Sequence, residues 1–134
     1  MSFVADTDVL IDFLRGRGDE AKRIELELKT GRLSTTAVSA FELWVGAKSP
    51  QEKATVKTLL SALSIIPLDA PAAAKSGEIF QALESKGTTI GMADSLIAGI
   101  CLHRDAMLIT RNKKHFSRVP GLKISGDYRH SSER

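Results

Sequence analysis

Apolar residues in this chain fall into short runs, and between them lie longer stretches in which they recur at helical spacing. Residues 2–6 are a brief apolar run that charge terminates at once, which predicts a buried strand. Val9 to Leu14 predicts a helix ended near Gly16 and Gly18, and Asp19 to Lys29 a second helix closed by Gly31. Leu33 to Val38, rich in Thr and Val, predicts a strand, after which Ser39 is expected to cap a helix running to Ala47. Pro50 opens a helix to about Leu63, Ser64 to Leu68 reads as a strand, and residues 71–86 form a helix ended by Gly87. Met92 to His103 places Ala93, Leu96, Ile97, Ile100 and Cys101 on one helical face. An apolar strand at Ala106–Thr110, a short helix around Lys113–Ser117 and a last strand at Leu122–Ser125 complete the pattern, and residues 126–134 are polar enough to read as a tail.

Helices separate strands that are short, apolar and without clean alternation. This predicts a parallel sheet of about five short strands covered on both faces, a three-layer α/β/α sandwich over residues 1–125. At 134 residues and 43% hydrophobic content the chain suits one domain with a real core. It has one cysteine, Cys101, so no internal disulfide can form, and its first residues lack a basic segment followed by a long apolar run. No apolar stretch approaches the roughly 20 residues that span a bilayer. Together these predict a cytoplasmic protein without a membrane partner. The net charge of +3 is unevenly spread: residues 1–103 carry 11 Lys/Arg against 13 Asp/Glu, residues 104–134 carry 8 against 3. A basic C-terminal quarter beside an acidic remainder suits a polyanion held near a cation site, and equally a solvated, lysine-rich surface.

In such a sheet ligands bind at the carboxyl ends of the strands. Asp6-Thr7-Asp8 follows the first strand, Glu42 lies just behind the second, Asp94 opens a late helix among apolar neighbours, and Thr110 and Asn112 follow the fourth strand. Three of these have a bland reading. Ser39-x-x-Glu42 is a possible capping box, Asp94 can complement a helix dipole, and Asn112 can be an ordinary loop asparagine. Taken together, they put several carboxylates at one edge. Two carboxylates about 5 Å apart repel by about 3 kcal/mol at an effective dielectric of about 20, so such a set raises its own pKa values or recruits a cation. All-oxygen donors select hard ions, Mg²⁺ or Mn²⁺ rather than zinc.

The segments FVADTDVLIDFLRG, TAVSAFELWVGA, IGMADSLIAGI and LITRNKKHFSRVPGL resemble those of PIN-domain ribonucleases, and more narrowly of VapC-type toxins of toxin–antitoxin pairs, in order and spacing over about residues 2–125. The resemblance implies an α/β/α fold and metal-dependent endoribonuclease activity, with transfer RNA a plausible substrate. It also implies a small VapB-type antitoxin as partner and a homodimer. It makes Asp6, Glu42 and Asp94 the acidic metal-site residues, with Glu42 orienting the attacking water. Asp8 stands where the family often has asparagine and becomes a hydrogen-bonding neighbour. Thr7, Ser39 and Thr110 match small hydroxyl positions, and Asn112 falls where many members place a fourth acid. Arg111, Lys113, Lys114 and Arg118 are placed to hold RNA phosphates.

Other residues take plainer roles. Cys101 is expected in the core, His103 at its helix's terminal carbonyls, Asp12 facing solvent, and Phe41 and Trp44 in core packing. Some of Phe13, Trp44, Val56, Leu59 and Leu60 are placed to face an antitoxin groove, and Gly46 suggests close helix packing. Two rivals stand beside the nuclease: a phosphotransfer domain (a haloacid dehalogenase-like phosphatase or a receiver), which needs a functional Lys113 or Lys123, and a catalytically silent RNA-binding module.

Overall fold

In the computed structural model, which describes residues 2–126, five parallel strands stand in the order β3-β2-β1-β4-β5. The tail expected from residue 126 lies, beyond Gly126, outside the described residues. The strands are β1 (Phe3–Ala5), β2 (Leu33–Thr36), β3 (Ser64–Ile66), β4 (Met107–Ile109) and β5 (Lys123–Ile124). Helices α1 (Thr7–Leu14) and α2 (Ala21–Lys29) join β1 to β2, and α3 (Ala37–Gly46) and α4 (Pro50–Ser61) join β2 to β3. The return to β4 runs through α5 (Ala70–Ser85) and α6 (Met92–Arg104), and α7 (Lys113–Phe116) leads into β5.

Burial on both faces explains why the strands lack polar alternation. Val4 and Leu108 join one core with Ile79, Ile97 and Phe116, while their neighbours Ala5 and Ile109 join the other with Leu10, Ile24 and Leu43. Helices α1–α4 therefore cover one face and α5–α7 the other, the sandwich that the pattern predicted. Cys101 lies in the first core as expected, where burial pushes its thiol up to about 12.

The chain runs outward from β1 through β2 to β3, then returns to the other side of β1 for β4. That reversal makes the β1–β4 junction the switch point, where parallel sheets open a crevice at their carboxyl edge. The Asp6 N–H donates to the Ile109 carbonyl at 2.9 Å, so the two strand ends stay together up to the crevice.

Two helix details correct the sequence reading. The cap of α3 is Thr36, whose hydroxyl accepts from the Ser39 N–H at 3.0 Å. Ser39 is thus inside the helix, Ser39-x-x-Glu42 is no capping box, and β2 stops at Thr36 rather than Val38. A capping box does exist one helix later, between Ser49 and Glu52 of α4. The close helix packing expected at Gly46 occurs at Gly99 instead. A Cβ on Gly46 would meet nothing within 4 Å, whereas one on Gly99 would lie 2.7 Å from the Ser76 backbone nitrogen. Gly99 is what lets α6 lie directly against α5.

Candidate active site

Asp6 ends β1 and caps α1. Its Oδ1 accepts from the Thr7 N–H at 2.8 Å, and its Oδ2 accepts from the fully buried Thr110 hydroxyl at 2.8 Å across the switch point. With 4% of its surface exposed and only these neutral donors among the described residues, the carboxyl is pushed up to about 6. Desolvation is the main cause; the two hydrogen bonds oppose it, and the charges of Asp8 and Asp94 add to the rise.

Glu42 reaches the same edge from the second turn of α3. Its Oε1 accepts from the Thr7 hydroxyl at 2.6 Å, and that hydroxyl lies 2.9 Å from Ser39 Oγ. Thr7 has one hydroxyl proton. When Thr7 gives it to Glu42, Ser39 must donate to Thr7, so both hydroxyl dipoles point toward the carboxylate. One threonine therefore links the two acids, through its backbone to Asp6 and its side chain to Glu42.

Asp94 is the third residue of α6, at the positive end of the helix dipole. Its carboxyl is nevertheless raised above the ordinary range. Burial is the largest cause, partly offset by His115, with Glu42 and Asp8 raising it further. His115 Nδ1 stands 3.1 Å from Asp94 Oδ2, and Asn112 Nδ2 stands 2.8 Å from the same ring nitrogen. The Asn112 N–H also donates to the Thr110 hydroxyl at 3.0 Å. The loop after β4 thus touches Asp6 through Thr110 and Asp94 through Asn112 and His115.

Asp6, Glu42 and Asp94 come to one edge, where Asp94 is close enough to interact unfavourably with both Asp6 and Glu42. Each is claimed by a protein partner, and among the described residues no three His, Cys, Asp or Glu side chains already share the spacing of a single bound ion. The donor set suits a hard divalent cation: three carboxylates, two of them destabilised as anions by burial and mutual charge, with hydroxyl and amide oxygens beside them.

A family model for the PIN domain matches residues 3–122, nearly the whole described chain. The chain belongs to the PIN-domain family. The tRNA(fMet)-specific endonuclease VapC of Salmonella typhimurium is 30% identical over 92% of this PIN-domain chain and 96% of its own length. Ribonuclease VapC2 of Rickettsia felis is 31% identical over 91% of this chain and 95% of its own. Among solved structures, DNA-bound VapBC from Salmonella typhimurium superposes with a TM-score of 0.84 at 31% identity, covering 93% of this chain and 97% of that one. VapBC2 from Rickettsia felis, bound to a promoter DNA fragment, superposes at 0.83 with 30% identity, covering 93% and 98%. The VapC-type resemblance stands on these relatives.

The basic residues of this PIN domain are more engaged than the sequence suggested. Arg111 forms two bonds to Asp12, Lys113 lies 3.0 Å from Glu20, and Arg118 donates to the Thr89 carbonyl at 3.0 Å, while Lys114 is exposed. Asp12 does not face solvent; it is 6% exposed beneath Arg111 and Arg17. Asp8 lies close enough for its charge to raise Asp6 and Asp94, and its side chain pairs with Arg111 Nη2 at 3.7 Å, an ion pair rather than the hydrogen bond expected of it. His115 is a site residue that the sequence does not single out, because its contact with Asp94 spans 21 positions and depends on how α7 packs. His103 meets Asp69 at 3.9 Å rather than its own helix's carbonyls. Phe41 and Trp44 stand outside the core, with Phe41 66% exposed.

The same geometry weighs against phosphotransfer. Lys123 binds Asp105 at 2.8 Å at the amino edge of the sheet, opposite Asp6, and Lys113 turns toward Glu20. Neither provides the lysine such chemistry needs.

Proposed function

We propose that this chain is a Mg²⁺- or Mn²⁺-dependent endoribonuclease, the toxin of a toxin–antitoxin pair acting in the cytoplasm on RNA, with tRNA as the substrate class. The observation that carries the reading is the buried Asp6 carboxylate at the switch point, held by neutral donors and facing two further acids. Asp6, Glu42 and Asp94 would hold the cation. When bound, a divalent ion there supplies positive charge for a phosphodiester and acidifies a water. Glu42, with Oε1 fixed by Thr7, orients the attacking water and takes its proton. Asp6 and Asp94 are held in place by Thr110 and by the Asn112–His115 pair. Attack by water rather than by a 2′-hydroxyl leaves 5′-phosphate and 3′-hydroxyl ends. Cleavage of a tRNA pool that EDTA abolishes and Mn²⁺ restores, with 5′-phosphate products, is the expected result. Cleavage that survives EDTA overturns the metal assignment, and RNA binding without cleavage favours the silent module.

Two surfaces suit the partners. A groove of about 320 Å³ between α1, α3 and α4 is lined by Ile11, Leu14, Leu43 and Val56 and has Glu42 among its walls, which suits an antitoxin segment that blocks the site. Phe13 and Leu59 line a second hollow of about 450 Å³ between α1 and α4. Trp44 is exposed, and Leu60 is buried in the core. On the other side of Glu42, Val38, Phe41, Leu68, Met92 and Leu96 form an apolar concavity in which Met92 is 73% exposed. It is the face we assign to the homodimer.

A further inference from the structure

The segment from Thr110 to Lys113 alternates between two tasks. Thr110 and Asn112 face the acids: the Thr110 hydroxyl donates to Asp6, and the Asn112 amide meets the His115 ring that touches Asp94. Arg111 and Lys113 turn toward α1 and the turn before α2, where Arg111 Nη2 also comes within 3.7 Å of Asp8. Arg111 Nη1 donates to Asp12 Oδ1 at 3.1 Å and Oδ2 at 3.0 Å, and Lys113 Nζ lies 3.0 Å from Glu20 Oε1.

Asp12 is built to receive this arginine. Its carbonyl accepts from the Arg15 and Arg17 N–H groups, and Arg17 Nε lies 3.7 Å from its carboxylate. Gly18, at φ +101°, folds the next turn so closely over it that a Cβ there would lie 2.8 Å from Asp12 Cβ. Both contacts come from one guanidinium nitrogen at the far end of a long side chain, a charged tie to a buried carboxylate that the shorter lysine reaches only in part.

We infer that Arg111 is a positioning residue: locked onto Asp12, it holds the 110–113 strap so that Thr110 and Asn112 set Asp6 and Asp94 for cation binding. This rests on the metal-dependent reading above and replaces the role of Arg111 as a phosphate contact. Groups that orient ligating side chains from behind typically change metal affinity about 10- to 100-fold when removed.

The test uses the full chain, Mn²⁺ alone as the probe, and Arg111→Ala, Arg111→Lys, Asp12→Asn and the Arg111→Ala/Asp12→Asn pair, each checked for folding by circular dichroism. Long-range charge alone predicts opposite effects, because losing a cation should tighten Mn²⁺ binding and losing an anion should weaken it. The strap predicts that both single changes weaken it, by about ten-fold, with the pair no worse than the stronger single change. Arg111→Lys should recover only part of the loss, and with Asp12→Asn it carries the test if Arg111→Ala does not fold. In EDTA, the salt dependence of binding to a single-stranded RNA oligonucleotide should stay as in the wild type. Opposite shifts in Mn²⁺ affinity overturn the inference. So does unchanged affinity with a salt slope reduced by about one, which would mark Arg111 as a phosphate contact. A wild type that binds no Mn²⁺ would overturn the nuclease reading too, whereas Mn²⁺ binding that no variant alters overturns the strap alone.

Discussion

The two edges of this sheet each bury a carboxylate, and they treat it in opposite ways. At the amino edge Glu27 is 2% exposed, but Arg23 donates to it at 3.2 Å, Arg32 lies 3.1 Å away, and both guanidinium groups stack over Phe3. At the carboxyl edge Asp6 is nearly as buried and has a backbone N–H and a hydroxyl, with two more acids nearby. Glu27 carries its counter-charge within the fold, tying α2 to the strands. Asp6 does not, and its carboxyl is pushed up to about 6 as a result. A buried acid is informative about function when its compensation has been left out of the chain.

Neutralising Asp6 is the sharpest way to break this contrast. Asp6→Asn should keep the helix cap yet reduce metal-dependent RNA cleavage by at least about 10³-fold, roughly 4 kcal/mol of barrier, in a gel-based assay. The same change should raise the metal-free stability at pH 7 by about 1–3 kcal/mol in urea unfolding, since it removes a buried charge. At the other edge the sign reverses. Glu27→Ala should cost about 1–3 kcal/mol by the same measurement while leaving cleavage per folded molecule unchanged. A Glu27 variant that loses activity without losing stability would show that the two edges are not independent.

The smallest effect is the pH dependence. Asp6 titrates higher in the folded chain than its ordinary 3.8, so the fold favours its protonated form. The stabilisation this gives is complete below about pH 4 and is lost as the pH rises through about 6. Asp94, also raised, acts in the same direction. Metal-free protein should therefore gain about 1 kcal/mol between pH 7 and pH 5, and Asp6→Asn should flatten that slope. A wild-type slope of the opposite sign would remove Asp6 as the titrating group.

Much of this was legible because local pattern and position agree. Short apolar strands between helices specify a parallel sheet, and strand-end acids specify which edge carries chemistry. Some of what escaped the sequence depends on partners distant in the chain, and some on a local choice between equivalent residues. Asp12 looked solvent-facing because its partner Arg111 lies 99 positions away. Ser39 looked like a cap because Thr36, three residues earlier, offers the same hydroxyl chemistry. Gly46 and Gly99 are equivalent as letters, and only the approach of α5 tells them apart. Phe41 and Trp44 are apolar by type, but their side of α3 faces away from both cores.

Gly99 gives the site a dependence that no inventory of polar groups would include. It shares α6 with Asp94, and its bare Cα sets how closely that helix lies against α5. A single methyl group there would collide with Ser76 and the Ala72 carbonyl, so α6 would have to shift off α5 and carry Asp94 with it. For a lineage under pressure to silence its own nuclease, this is a second route to inactivity, one that leaves every acid intact.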